Sequence, residues 1–228
     1  MRKKLFVPIL MVVGILLLNF TAILAFAQIT APHAADAMWV EPAASNFSTA
    51  TTSVGFKFNV TVAMNITENV FAYQVAMHYN RTQLKCIRAA VTAPPTSEYM
   101  SGHATTSGIS IDGGAYGNGS VVVAETCSGS DFIPGPHSGT LFWAEFQIML
   151  APSESQPTLN STFDISKEYA LTNTYAWDQN ANPITFAPYD GSFSIIPELD
   201  SSLILVIFLT LTLAAMTLSK KALQKKLK

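Results

Sequence analysis

Side chains that could do chemistry are few in this chain of 228 residues, and their spacing is poor. The histidines past the leader, His33, His78, His103 and His137, lack metal-site spacing such as His-Glu-x-x-His, in which two imidazoles on one helix face share an ion. No Gly-x-Ser-x-Gly elbow presents a serine nucleophile. The acids are spread through segments rich in turn residues, so no two can be nominated as paired acid and base. Gly113-Gly114-Ala115-Tyr116-Gly117-Asn118-Gly119 matches neither a phosphate loop nor a dinucleotide fingerprint and reads as a turn between strands. Asp178-Gln179-Asn180-Ala181-Asn182 alternates oxygen ligands as calcium loops do, but the glycine and the later bidentate Glu are missing. With Pro183 following at once, it reads as a hairpin-type turn. Trp39, Trp143 and Trp177 could stack on sugar rings, although a lone tryptophan on a strand is more often a core residue. No catalytic residue, metal ligand or cofactor is assigned, and the chain reads as a non-enzyme.

The elements around these residues are bounded by two apolar ends. Leu5 to Ala27 follows Met1-Arg2-Lys3-Lys4, and the small residues Ala25 and Ala27 before Gln28 complete the grammar of a secretory signal peptide cleaved between Ala27 and Gln28. A retained anchor is the alternative, because the run is long for a signal core. A second run, 203–219, is about the length that a bilayer requires, and the tail 220–228 carries five lysines that belong on the cytoplasmic side. A buried core helix is the alternative there. The organisation expected is a signal helix over 1–27, a linker over 28–36, a domain over 37–196, a short stalk over 197–202, a transmembrane helix and a basic tail. The chain would sit in the cell membrane as a single-pass protein with its domain outside.

The displayed part holds only Lys57, Arg81, Lys85, Arg88 and Lys167 against all fifteen acids, a net charge of −10. Such a surface repels nucleic acid, which is excluded as a partner. Asn-x-Ser/Thr sequons begin at Asn46, Asn59, Asn65, Asn80, Asn118 and Asn160 and fit N-glycosylation outside the membrane; strands rich in Ser and Thr also generate sequons by composition. Cys86 and Cys127 are the only cysteines, and an oxidising compartment favours a bridge between them. Closing that loop of about forty residues would add on the order of 4 kcal/mol in the chain-entropy view.

The middle reads as strands. Phe56, Phe58, Val60, Val62, Met64 and Ile66 alternate with Lys57, Asn59, Thr61, Ala63 and Asn65, the pattern of a half-buried strand. After a turn at Thr67-Glu68-Asn69, Phe71, Tyr73, Val75, Met77 and Tyr79 face in while Ala72, Gln74, Ala76 and His78 face out. Further strands are expected at Ala37–Val40, Leu84–Val91, Ile109–Ile111, Val121–Ala124, Leu141–Leu150, Phe163–Ile165, Ile184–Phe186 and Ser192–Ile196. Loops are expected at Thr92–Gly108, Ser128–Thr140 and Ala151–Asn160. No amphipathic helix is convincing, so the expected class is all-β, an antiparallel β-sandwich or jelly roll.

The order of these motifs resembles that of cohesin modules. Gly55-Phe56-Lys57-Phe58-Asn59-Val60-Thr61-Val62 is similar to their opening, and Phe71 to Asn80, then Arg81-Thr82-Gln83-Leu84, resembles the segment that ends in Tyr-Asp, a short turn and Leu. Ser138-Gly139-Thr140-Leu141-Phe142-Trp143-Ala144-Glu145-Phe146-Gln147-Ile148 resembles the family's Gly-x-Leu…Phe-x-Val/Ile strand, and Asp190-Gly191-Ser192-Phe193-Ser194-Ile195 its closing strand. The resemblance runs over about 37–196. It implies a jelly roll that shares its fold with certain carbohydrate-binding modules and binds a dockerin-like module, or surface polysaccharide, through one sheet face. The strand carrying Ala72, Gln74, Ala76 and His78 would then supply the partner-binding strip. A carbohydrate-binding module proper and a purely structural envelope glycoprotein are the alternatives. Ile196-Pro197-Glu198-Leu199 resembles the Pro-Glu-Phe sorting signal of archaeal surface proteins, with Leu199 in place of Phe, so a plain membrane stalk is the expectation.

Overall fold

An extended chain with every second side chain apolar has one face to bury, and two such chains can bury theirs against each other. The computed structural model describes residues 35–196 except 50, 113–118, 154–157 and 167–172, together with 209, 210 and 212. Its strands in chain order are β1 (Ala37–Glu41), β2 (Ala44–Ser48), β3 (Lys57–Ile66), β4 (Ala72–His78), β5 (Leu84–Val91), β6 (Thr105–Ile111) and β7 (Ser120–Cys127). They continue as β8 (His137–Ile148), β9 (Leu159–Phe163), β10 (Tyr175–Trp177), β11 (Pro183–Ile184), β12 (Ala187–Tyr189) and β13 (Gly191–Ile196). Every regular element among the described residues of 35–196 is therefore a strand.

One sheet runs β12-β1-β3-β8-β5, a second β11-β10-β4-β7-β6, and a three-stranded sheet β2-β13-β9 closes one end. Pairing is antiparallel except at β1/β12 and β13/β2. Val60, Val62, Met64 and Ile66 from β3 meet Tyr73, Val75 and Met77 from β4 in one buried cluster with Phe142, Phe146, Val121 and Val123. The register of β3 on β8 slips once, with Val62 opposite Phe142 and Ala63 opposite Thr140. The extra residue lets the neighbours Leu141 and Phe142 both bury their side chains, as a bulge permits. Phe58 stacks on Phe193, ring centres 5.5 Å apart, and Phe163 lies 4.9 Å from Phe146; these rings join the three-stranded sheet to the first sheet.

Several expectations change. Thr105–Gly108 and His137–Thr140 were expected in loops and are strand, because ladder partners on β7 and β3 satisfy their backbones whatever their side chains. β2 and β12 are short edge strands, and β10 is a three-residue strand held between β4 and the edge strand β11; no periodicity announces these three. The signal segment with Ala27 and Gln28, the run 113–118, the stalk 197–202, the apolar run 203–219 apart from 209, 210 and 212, and the tail lie outside the described residues. The chain divides after His33 into two units, the first wholly outside them. Among the described residues no helix is long and apolar enough to cross a membrane.

The expected Cys86–Cys127 bridge does not form, and both are buried free thiols. In the β4/β7 pair Ala72 lies opposite Thr126 and His78 opposite Ser120, so Cys127 falls at the Ala72 end. Cys86 lies at the other end, where its N–H donates to Tyr79 Oη at 3.3 Å. A strand of this length spans roughly 20 Å at about 3.3 Å per residue. Disulfide Cα atoms lie within about 7 Å. Burial, reinforced by Asp112, pushes the Cys86 thiol up to about 12; burial and then Asp131 push Cys127 up to about 11. Iodoacetamide at pH 8 should therefore leave both thiols of the folded chain unmodified and label both after denaturation. A linked Cys86–Cys127 peptide in a non-reducing map would contradict this.

Candidate binding face

The outer surface of the second sheet is made of small side chains in register. Ala72, Thr126 and Thr106 form one row across β4, β7 and β6, and Gln74, Ala124 and Gly108 form the next. Small side chains leave the floor flat and bring the backbone close to anything laid on it. β10 adds to the free edge of β4, with Tyr175 opposite Gln74 and Trp177 opposite Ala72. Positions two apart on a strand share a face, so both rings stand on the outer side while Ala176 is fully buried. The rings stack with centres 4.7 Å apart and planes at 19°, and Trp177 keeps 40 % of its surface exposed. Floor and ledge together enclose a trough of about 550 Å³, within the usual range of ligand sites.

The ledge is held from both ends. Gln74 Nε2 donates to the Asn173 carbonyl at 2.9 Å, and the Ala76 N–H donates to Thr174 Oγ1 at 3.1 Å. Beyond Trp177, Asp178 Oδ1 accepts the Asn180 and Asn182 amides, each at 2.8 Å, and Ala181 adopts a left-handed φ of 60°. The β10–β11 connection is thus an aspartate-capped hairpin turn, as the sequence suggested. The Asn182 side chain and these amides hold the Asp178 carboxyl below the usual range.

Beneath the floor lies a buried carboxylate. Glu125 is 1 % exposed and faces inward from β7. It accepts Tyr73 O–H from β4 at 2.9 Å, Thr105 O–H from β6 at 2.9 Å, the Ser97 N–H at 3.1 Å and the Thr96 hydroxyl. Burial, and then the Glu125 charge, hold the Tyr73 phenol well above its ordinary value, so it remains a donor. One side chain therefore cross-links the three strands of the floor.

The expected strip Ala72, Gln74, Ala76 and His78 needs correction. Ala76 is fully buried, and His78 is 6 % exposed, with its backbone bridged to Asp164 in both directions. Only Ala72 and Gln74 keep partial exposure. The open surface has moved toward β7, β6 and the ledge. Of the other tryptophans, Trp39 is half-buried and donates to Glu41 at 2.6 Å, and Trp143 lies under the Arg88 guanidinium at 4.9 Å. His103 pairs with Asp131 at 2.9 Å and His137 packs edge-on against Tyr99. Among the described residues no three His, Cys, Asp or Glu are grouped to hold a metal. Asn46, Asn59, Asn80 and Asn160 are exposed, Asn65 is half-buried, and Asn118 lies outside the described residues.

No protein-family model and no curated protein matches the chain. In structure it is similar to a non-cellulosomal cohesin from the hyperthermophilic archaeon Archaeoglobus fulgidus, at 14 % identity and a TM-score of 0.47 over 70 % of this chain and 90 % of that one. It is also similar to a chain of the Coh-OlpC-Doc435 complex, a type I cohesin–dockerin complex from Clostridium thermocellum, at 10 % identity and a TM-score of 0.49 over 71 % and 94 %. A type II cohesin domain from the cellulosome of Acetivibrio cellulolyticus gives 12 % identity and a TM-score of 0.45 over 71 % and 95 %.

Removing the Glu125 carboxylate strands several buried donors at once. Glu125→Ala should lower stability by about 3 kcal/mol, and Glu125→Gln, which keeps one acceptor oxygen, by less. Urea unfolding followed by far-UV circular dichroism reads both. A loss below about 1 kcal/mol for the alanine variant would show that the network does not hold the sheet.

Proposed function

We propose that this chain is a non-catalytic binding module, carried on the outer side of a membrane by its C-terminal apolar run, that takes its partner on the outer face of the second sheet. The observation that carries this reading is the trough: a flat floor of Ala72, Thr106, Gly108, Ala124 and Thr126 walled by the stack of half-buried Tyr175 on exposed Trp177. A flat floor admits close packing by a partner's own secondary structure, and an aromatic wall supplies the area that dominates binding energy. The cohesin-like order of motifs supports a dockerin-like protein module as the partner. The ledge also favours a second reading, surface polysaccharide, because sugar rings present C–H faces to exposed aromatic planes. The basic-flanked apolar ends and the sequons support display outside the cell.

Capture of surface and secreted proteins by the full chain, alongside a glycan array, separates the two partners. Trp177→Ala should weaken whichever binds by at least about tenfold, as loss of a central aromatic does. Arg88→Ala, on the outer face of the first sheet, should change binding little. Equal binding by the parent and Trp177→Ala would remove the trough from consideration.

The sequons should differ in occupancy. Asn65 is half-buried in a central strand between Ala37 and Ser138, and the hydroxyl of Thr67, the third residue of its sequon, donates to Asp36 at 2.7 Å. Peptide mass spectrometry of the native protein should find glycan at Asn46, Asn80 and Asn160 and none at Asn65. Occupancy of Asn65 equal to that of Asn160 would contradict the exposure argument.

A further inference from the structure

Five of the nine exposed large apolar side chains among the described residues gather at one end of the sandwich. Val54, Phe56, Met149, Leu150 and Ile196 are each between 39 and 53 % exposed and come from three separate stretches of chain. Hydrogen bonds tie the first two stretches together, and strand pairing with a ring contact brings the third beside them. The Gly55 N–H donates to the Ile148 carbonyl at 2.8 Å, the Ile148 N–H to Phe56 at 2.9 Å, and the Thr49 N–H to Ile196 at 3.2 Å. Phe47, opposite Ile195, packs edge-on against Phe56 at 5.6 Å. Ile109, Trp177 and Tyr189 lie on other strands away from this tip.

Two of the five basic residues of the displayed part flank the same tip. Lys57 and Lys85 are both exposed and both register on Gln147, one from each neighbouring strand. Their Cα atoms therefore lie about 10 Å apart across β8. The nearest acid on that face, Glu145, is taken by Arg88 at 2.9 Å. On a domain of net charge −10, this is a local concentration of positive charge around an apolar surface. That combination suits the interfacial region of an anionic bilayer.

The chain also restrains where this tip can go. β13 ends at Ile196 within it, and the apolar run begins at Leu203, six residues of stalk later. Fully extended, six residues reach roughly 20 Å. We propose that this end of the sandwich rests on the bilayer that the C-terminal run enters. Val54, Phe56, Met149, Leu150 and Ile196 lie at headgroup level, and Lys57 and Lys85 sit on anionic headgroups. The inference rests on the membrane-anchored reading above. It gives that reading a geometry: β4 leads away from the tip from His78 to Ala72, so the trough stands roughly 20 Å above the lipid, open to a partner.

The full chain reconstituted in vesicles of phosphatidylcholine and phosphatidylglycerol, with brominated acyl chains as quencher, tests this. Tryptophan placed at the tip by Val54→Trp, or separately by Met149→Trp, should add blue-shifted emission that brominated lipid quenches, consistent with a depth of about 5–10 Å. Ile109→Trp should add emission that it does not quench. Lys57→Glu with Lys85→Glu should reduce the quenching of the tip tryptophan. Tip emission quenched no more than that of Ile109→Trp would overturn the proposal. So would a blue shift that appears only as the protein-to-lipid ratio rises, which would mark a contact between copies. Flotation with the vesicles reports the anchor separately: a chain that floats without tip quenching keeps its anchor and loses the apposition, and one that fails to float loses both.

Discussion

A carboxylate buried without its hydrogen bonds would be unfavourable by several kcal/mol, so Glu125 and its donors form together or not at all. Those donors come from β4, from β6 and from the segment at Thr96 and Ser97. Aliphatic contacts across a sandwich are tolerant of small slips. A carboxylate that needs a phenol on one side and a threonine hydroxyl on the other is not, and it fixes how β4, β7 and β6 lie beside one another. The flat outer floor follows from that register, because it aligns Ala72 with Thr126 and Thr106, and Gln74 with Ala124 and Gly108.

The ledge depends on the same strands from the opposite edge. β10 is only three residues long and is anchored by Gln74 and by the aspartate turn that follows Trp177. Its far edge is taken by the two-residue strand β11, with Ala176 opposite Ile184 and Trp177 opposite Pro183, and so brief an edge strand offers little for unwanted pairing. The arrival of β10 also bounds what β4 can present: the Ala76 N–H is taken by Thr174 Oγ1, Ala76 is fully buried, and the exposed surface lies on the part of the sheet beside Trp177.

Much of this was legible in the residues, and the limits have physical causes. Period-two alternation located β3 and β4, and Leu84–Val91 was read to its observed bounds because its apolar positions and flanking turns agree. The strand read as ending at Ala124 continues to Cys127, since Glu125 sits at an inward position where an acid is not expected until its partners are known. Ala76 and His78 read as outward from their own strand, but alternation says only which face a residue joins and nothing of what covers that face. The cysteine pair shows the same limit: an even count suggests a bridge, yet only the register of β4 on β7 reveals that the two thiols belong to opposite ends. Tyr175 and Trp177, flanking Ala176 just before an Asp-x-Asn turn, were a readable signal of a hairpin with an aromatic face.

Amide hydrogen exchange of the full chain, with and without its captured partner, tests the central claim most directly. Protection on binding should fall on 106–108, 124–126 and 175–177. Protection confined to the outer face of the first sheet, around Lys57, Glu145 and Lys85, with the trough unchanged, would contradict the account.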